Sequence, residues 1–467
     1  MPKWVMVSAS VSRQATLTPS SKVPDMRPMA RVDLVGMEIV LRATSDLVKG
    51  GMTAILKRLG DYTRLGWNMA TYSLLGLVWF AIFEVFCGKM LPRLGYLTAH
   101  RAIANDPPCI SPECDFSAFW PAGMLARAHE FMSIYQPQMF LAWQRQVLFA
   151  GAQQDAFFYP PPMLLPSALI SYLPYELGFF IWTFGLILFS ALLLRWAGAS
   201  WLVILLALLS PAALWNTELG QLGVAGGAVL LAGLMVSARK PLRAGGLLGL
   251  LVCKPQIGVL VPAVFWGQRN LRAFCAFVMM CGCLCLLVSV AFGWSVWPVY
   301  FGLGSGESTK VLNAVFNRLS YQEGGVSVFW MLRSLGAGLT VSYAAQLAVA
   351  LAAMAVTGWI WRRDNLTALD RLALTVFLSL LATPYGYSDD MVGYSVVLAM
   401  LAERRGWRIG LLDVLLWLWP MLCLVEVKKT GLLITPLVVL LAVARTWYRA
   451  GLPVPHLPRK AAVLPRA

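Results

Sequence analysis

Long apolar runs recur along most of this 467-residue sequence after Asn68, and they constrain its fold more than any other feature. Many of these runs approach or exceed the roughly 20 residues that a helix needs to cross a hydrocarbon layer of about 30 Å. Inside such a layer the backbone must satisfy its own hydrogen bonds, which helices do within one segment. With 59% hydrophobic and 13% charged residues, the chain leaves no stretch for a soluble catalytic domain. The sequence therefore predicts an all-α, polytopic membrane bundle.

Reading the apolar runs against the basic clusters between them predicts about ten full spans. Their approximate bounds are 68–88, 177–196, 200–216, 220–237, 271–292, 340–361, 368–384, 391–402, 408–424 and 430–447.

The net charge of +16 is carried mostly by short Lys and Arg clusters between the apolar runs. Cytoplasmic loops of membrane proteins carry such clusters, so the charge indicates topology and not a nucleic-acid partner. We predict three parts: a partly disordered cytoplasmic segment 1–67 with an amphipathic stretch at 32–59, a membrane domain 68–447, and a cytoplasmic tail 448–467. Both ends then face the cytoplasm of an inner (plasma) membrane.

Two apolar segments are predicted not to cross the membrane. The stretch "YPPPMLLPSALISYLP" at 159–174 is predicted to be a short helix in the outer leaflet, because crossing would put basic clusters outside. The segment 245–267 has basic clusters at both ends, and Lys254, Pro255 and Gln256 interrupt its middle. A proline breaks the helix there and a lysine at bilayer depth is costly, so we predict a re-entrant pair of half-helices.

With this topology, the outer face collects the polar segments 89–160, 216–221, 293–339 and 383–390. The first contains Asp115 within "CDFSAFWPAG". The helix that follows is predicted to lie on the membrane surface, anchored by Phe116, Phe119 and Trp120. A carboxylate at that boundary has a raised pKa and suits a general base, whereas the alternative is that Asp115 only caps the helix.

The other polar residues have two interpretations each. Asn216, Glu218 and Gln221 share one turn, and loop capping explains them as well as a site does. Asp389 and Asp390 either begin a helix or contact a ligand. They resemble neither an EF-hand loop nor a histidine-containing site, so we predict no metal and no cofactor. Tyr159, with the prolines after it, shapes a lipid groove or anchors the interface.

Several motifs occur in a characteristic order between about residues 115 and 400: "DFSAFWPAGMLA", "YPPPMLL", "GQLGVAGGAVLL", "AGGLLGLLVCKPQIGVLVPAVFW" and "TPYGYSDDMVGY". In combination they resemble glycosyltransferase family 87, membrane enzymes of the GT-C class. The sequence departs from the commonest versions at Leu222, where a small polar residue is frequent, and in the absence of a histidine from "TPYGYSDD".

The resemblance implies transfer of a sugar, typically mannose, from a polyprenyl-phosphate donor to a lipid or glycan acceptor hydroxyl on the periplasmic face. It implies inversion at the anomeric carbon, with Asp115 as the base. The donor phosphate needs cations or amides, for which Lys254 and Arg318 are the candidates. The predicted pocket lining is Tyr159, Gln221, Gln256, Tyr385, Asp389 and Asp390.

Two other classes of function stay open. A lipid-linked sugar flippase or other transporter also uses broken helices with a charge at the midplane, but the sequence shows no inverted repeat. A polymerase or ligase of lipid-linked glycans is expected to carry arginine-rich outer loops. In addition, Cys109 and Cys114 are predicted to lie in the oxidising periplasm, where a disulfide between them would steady Asp115.

Overall fold

The computed structural model describes residues 115–148, 152, 155–318 and 320–452, together with Gly76, Trp79 and Phe83, which are helical. The predicted amphipathic stretch, the proposed disulfide and most of the first span and of the C-terminal tail lie outside these residues.

The described residues are all-helical and contain no strand, only one isolated bridge between Gly325 and Tyr387. The α-helices are α1 Phe116–Arg127, α2 Phe131–Tyr135, α3 Pro137–Val147, α4 Leu164–Ile170, α5 Tyr175–Ala197, α6 Trp201–Leu208, α7 Pro211–Leu219, α8 Gly223–Val236, α9 Pro241–Gly249, α10 Val261–Gln268, α11 Leu271–Phe292, α12 Val296–Val299, α13 Ser305–Asn313, α14 Ser320–Glu323, α15 Val328–Ser334, α16 Leu339–Ile360, α17 Ala368–Leu381, α18 Val392–Arg404, α19 Leu411–Thr430 and α20 Thr435–Arg449. Short 3₁₀ turns lie at Pro161–Met163, Leu250–Cys253, Pro255–Gly258 and Ser388–Met391, and a π-turn at Tyr300–Gly304.

Three of the described helices, α5, α11 and α16, are long and apolar enough to cross a membrane. Helices α6 and α7 satisfy the same criteria only as a pair, which is bent by 56°. The span predicted at 200–216 is therefore two helices, because Ser210 caps a new helix whose first residue is Pro211. The remaining predicted spans correspond to shorter or more polar helices, and the number of crossings stays a prediction.

The long helices expose their apolar side chains, as lipid-facing helices do. In α11 only Ala273, Val288 and Phe292 are buried among its 22 residues. In α5 the exposed apolar residues recur every three or four positions and form a stripe along one side: Leu177, Ile181, Phe184, Leu188 and Leu192. This pattern supports membrane association.

The core lies where shorter helices pack closely. Helix α8 contacts α5, α9 and α18 and has most of its residues buried. Gly227 in α8 faces Gly393 in α18 so closely that a Cβ on Gly227 would lie 2.7 Å from the Gly393 amide nitrogen. Small residues at this crossing let the two backbones approach and bring the start of α18 beside α8.

Helix α1 is not a surface helix, and the predicted membrane anchoring of Phe116, Phe119 and Trp120 is wrong. Ten of its twelve residues are buried, these aromatics among them, and they pack against α4 and α5. A Cβ on Gly123 would lie 2.0 Å from the Ser167 carbonyl oxygen, so the helices meet backbone to backbone. An apolar helix covered on both sides by other helices needs no membrane to bury it.

The predicted break at Lys254 is confirmed. The 3₁₀ turns Leu250–Cys253 and Pro255–Gly258 flank this residue, whose φ of −140° and ψ of 73° are non-helical. Proline at 255 has no amide hydrogen for a helical bond and disfavours a helical residue before it. The segment predicted to lie in the outer leaflet contains a short helix that begins at prolines, as expected, since the 3₁₀ turn Pro161–Met163 leads directly into Leu164–Ile170.

Candidate functional site

Five separate parts of the chain meet in one largely buried polar cluster. They are the start of α1, the segment before the 3₁₀ turn Pro161–Met163, the turn after α7, the break between α9 and α10, and the 3₁₀ turn before α18. Hydrogen bonds and ion pairs join their side chains into one network: Asp115, Tyr159, Gln221, Lys254, Asp389 and Asp390. Six of the nine residues predicted from the sequence therefore lie together.

Asp115 precedes α1, but its side chain makes no capping hydrogen bond to that helix. Instead its Oδ2 accepts a hydrogen bond from the side-chain amide of Gln221. Burial, the largest cause, and the nearby charge of Asp389 raise the pKa of Asp115 to about 7, while the Gln221 hydrogen bond and the charge of Lys254 oppose the rise. The carboxyl is thus poised to gain or lose a proton near neutral pH.

Gln221 is held by the tight turn that ends α7. Gly220 adopts a left-handed conformation with φ of 68°, which favours glycine, and its carbonyl accepts a hydrogen bond from the Trp182 indole at 2.9 Å. The Gln221 Oε1 accepts from the Lys254 Nζ at 3.1 Å, and the Tyr159 hydroxyl donates to the same oxygen at 3.1 Å. One amide therefore links the acid to the cation.

Lys254 lies buried between two acids. Its Nζ is 2.6 Å from Asp390 Oδ1 and 3.3 Å from Asp389 Oδ2, and its side chain is 5% exposed. Burial raises the pKa of Asp390 to about 6, although the Lys254 charge opposes this. The Asp389 backbone carbonyl accepts from Asn216 Nδ2 at 3.2 Å, so Asn216 fixes the turn that carries both acids. Asn216 Oδ1 also accepts from the Val224 backbone amide at 3.2 Å in the first turn of α8, which is the capping role left open for this residue.

A further carboxyl, Asp155, lies beside the cluster and was not predicted. Ser117 Oγ donates to Asp155 Oδ2 at 3.0 Å, and Gln144 Nε2 donates to the backbone carbonyls of Ser117 and Asp155 at 3.0 and 2.9 Å. Burial, together with the charge of Asp115, raises the pKa of Asp155 well above its usual range. The available signal in the sequence was that Asp155 is the only acid between Glu130 and Glu176.

The three other predicted residues lie apart from this hydrogen-bonded network. Gln256 lines a small cavity together with Gly227, Thr383 and Asp390. Arg318 is exposed, and its guanidinium lies against Gly431 at the end of α19. Tyr385 packs on the apolar cluster that contains Trp330.

The fold and the cluster define an all-helical protein with apolar, membrane-type helices and a buried site of carboxyls around one lysine. Residues 157–384 match the model of glycosyltransferase family 87. This match supports the family predicted from the sequence motifs, and the family indicates a glycosyltransferase. The matched residues include Tyr159, Gln221 and Lys254, whereas Asp115, Asp389 and Asp390 lie outside them. No curated protein and no solved structure matches the chain.

Proposed function

We propose that this glycosyltransferase transfers a hexose, with mannose as the first candidate, from a polyprenyl-phosphate donor to an acceptor hydroxyl. The transfer takes place on the periplasmic face of the inner membrane and inverts the anomeric carbon. Asp115 is the general base. The observation that carries this proposal is the hydrogen bond that the Gln221 amide donates to the half-buried Asp115 carboxylate, in the same network as Lys254.

The reaction needs a base more than an acid. The acceptor oxygen attacks the anomeric carbon, its proton passes to the Asp115 carboxylate, and the bond from that carbon to the phosphate oxygen breaks. The phosphate leaves with the bonding electron pair as a stable anion, so it needs no proton. A base is most effective when its pKa is close to the working pH, because it is then largely deprotonated yet still basic.

The surroundings of Asp115 suit this role. Since the side chain does not cap α1, the alternative that Asp115 is only a helix cap loses its support. The neighbouring Gln221 amide holds one carboxylate oxygen, which fixes the direction in which the other can accept a proton. Phe116 and Phe119 are fully buried next to it and keep the local dielectric constant low.

The donor contacts belong to the same proposal. Tyr159, Gln221, Asp389 and Asp390 line the pocket, and Lys254 faces the donor phosphate. Two carboxylates share the Lys254 ammonium, and burial raises the pKa of one of them, Asp390, to about 6. Partial protonation of Asp390 at mildly acidic pH therefore frees positive charge for the phosphate. Gln256, Arg318 and Tyr385 are proposed as outer donor contacts, beyond the hydrogen-bonded network.

The experiment that tests this function uses the purified full-length protein, a radiolabelled polyprenyl-phosphate hexose and an envelope lipid extract as acceptor. The proposal expects label in a product of one added hexose. Label that crosses a sealed vesicle without a new bond would instead identify a flippase, and transfer of a preassembled glycan from its lipid carrier would identify a polymerase or ligase. Either outcome would overturn the proposed activity.

A further inference from the structure

A second charged cluster lies at the other end of α18. This helix starts directly after the turn that carries Asp389 and Asp390 and ends at Arg404. Thirteen helical residues at about 1.5 Å each separate the two ends by about 20 Å. A cavity at this far end lies among α17, α18, α19 and α20, and its charged lining consists of four arginines and one acid: Arg404, Arg405, Asp413, Arg445 and Arg449.

The Asp413 carboxylate is shared by two of these arginines. Its Oδ1 lies 2.6 Å from Arg405 Nη2 and 2.6 Å from Arg445 Nη1, and its Oδ2 accepts from the Gly410 backbone amide at 2.9 Å. One negative charge therefore serves two guanidinium groups. The carboxylate holds both of them in place but leaves one positive charge uncompensated.

Arg404 has its own partner. Its Nη2 lies 2.7 Å from Asp370 Oδ1, and its Nη1 donates to Thr367 Oγ1 at 3.0 Å. Arg449, by contrast, forms no ion pair with any residue that the structure describes. The four guanidiniums of the lining therefore have two carboxylate partners, Asp413 in the cavity and Asp370 outside it, which leaves an excess of two positive charges.

Arg445 points to a missing anion most directly. The residue is 8% exposed, and its Nη2 has no hydrogen-bond partner among the described residues. Buried polar groups nearly always have a partner, and an unpaired buried guanidinium is costly. An oxygen of a bound ligand in the cavity would supply this bond.

We propose that this arginine cavity binds a phosphate group. Planar guanidiniums pair with phosphate oxygens through parallel hydrogen bonds, and the excess charge matches a phosphate monoester or diester. Arg404 and Arg449 are exposed, so the ligand enters from the surface and reaches Arg445 inside. The phosphate is that of an anionic phospholipid headgroup or of a free phosphate, and the inference does not depend on the proposed transferase activity.

The test measures thermal unfolding of the full-length protein by tryptophan fluorescence. One arm titrates sodium phosphate into protein in an uncharged detergent, against sodium chloride at matched ionic strength. The other compares nanodiscs of phosphatidylcholine with nanodiscs that also contain phosphatidylglycerol.

The variants are Arg449→Gln, which breaks no ion pair, and Arg445→Lys, which keeps the charge but loses the planar guanidinium. Arg408→Gln is the matched control, since Arg408 is exposed and does not line the cavity.

Stabilisation of the wild-type protein by phosphate in detergent identifies free phosphate or a soluble ester, and stabilisation only by phosphatidylglycerol identifies the lipid. In either case we expect Arg449→Gln to weaken the apparent affinity about tenfold or more, as loss of one charge-assisted hydrogen bond does. Arg408→Gln should leave it unchanged. The proposal is overturned if neither ligand stabilises the wild type, or if Arg449→Gln and Arg408→Gln respond alike. If Arg445→Lys fails to fold, Arg449→Gln still decides the question.

Discussion

The side-chain amide of Gln221 donates a hydrogen bond to the carboxylate of Asp115, a residue 106 positions earlier in the chain. Because the carbonyl oxygen of the same amide accepts from Lys254, this glutamine connects the proposed base with the ion pairs of Asp389 and Asp390. The protonation of Asp115 is thereby coupled to the charge state of residues on two other segments.

Replacement of Asp115 by asparagine should abolish most of the turnover. Asparagine keeps the size of the side chain but cannot take the proton, so kcat should fall by about 10²- to 10⁴-fold while donor binding is kept. The measurement is hexose transfer at saturating donor. Asp155→Asn is the matched control, because it makes the same substitution at a neighbouring carboxyl whose pKa is also raised by burial, but which contacts Ser117 and not Gln221. Equal losses in the two variants would argue against a specific role for Asp115.

The rate should depend on pH through the same carboxyl. Asp115 acts only when deprotonated, so kcat/KM should rise with pH through an apparent pKa of about 7. Asp390 titrates close by, and the observed value therefore belongs to the coupled groups. A profile of initial rates against pH checks this. A rise centred near the ordinary aspartate value of about 4 would contradict it.

Gln221→Met should shift that profile to higher pH. The Gln221 hydrogen bond lowers the pKa of Asp115, and methionine has a similar length but no amide to donate. We therefore expect the rising limb of the pH profile to move upward, in addition to any loss of rate. A purely structural role for Gln221 would reduce the rate equally at all pH values and leave the limb in place.

Lys254→Met should destabilise the protein. It removes the cation from two buried acids, and breaking a buried ion pair in this way typically costs about 3–5 kcal/mol. The decrease in unfolding temperature should become smaller at mildly acidic pH, where Asp390, whose pKa burial raises to about 6, becomes protonated. Adding Asp390→Asn to the variant should restore part of the stability. The control Lys310→Met breaks the exposed pair with Glu307 and should change little.

The topology of the segment around Lys254 can be tested separately. Reporters fused after Arg243 and after Arg269 should both report the cytoplasm, because both basic clusters favour that side and the apolar stretch between them is broken. An external location for the second fusion would show that the segment crosses the membrane and does not turn back.

Much of the fold and part of the site could be predicted from local sequence. Length and apolar composition gave the long helices α5, α11 and α16 almost to the residue, because such runs satisfy their backbone only as helices. The break at Lys254 followed from a proline and a charge at adjacent positions. The order of the motifs gave the family and, through it, the acid at Asp115.

Tertiary structure alone decided which of these groups meet. Lys254 pairs with Asp389, which lies 135 positions later in the chain, and with the adjacent Asp390. Asp155 accepts a hydrogen bond from Ser117, which lies two residues after Asp115. Periodicity reports which face of a helix is apolar but not what covers it. For this reason α1 was wrongly expected on the membrane surface, although close contact between Gly123 and Ser167 buries it inside the protein.

The same distinction applies to the arginines at the far end of α18. In the sequence, the clusters around Arg404 and Arg445 indicate only a cytoplasmic side, because each is a short basic run after an apolar one. Packing of α18, α19 and α20 brings them around the single carboxylate of Asp413. Charge per segment is a local property that sequence determines, whereas the imbalance of charge within one cavity exists only once the helices have packed.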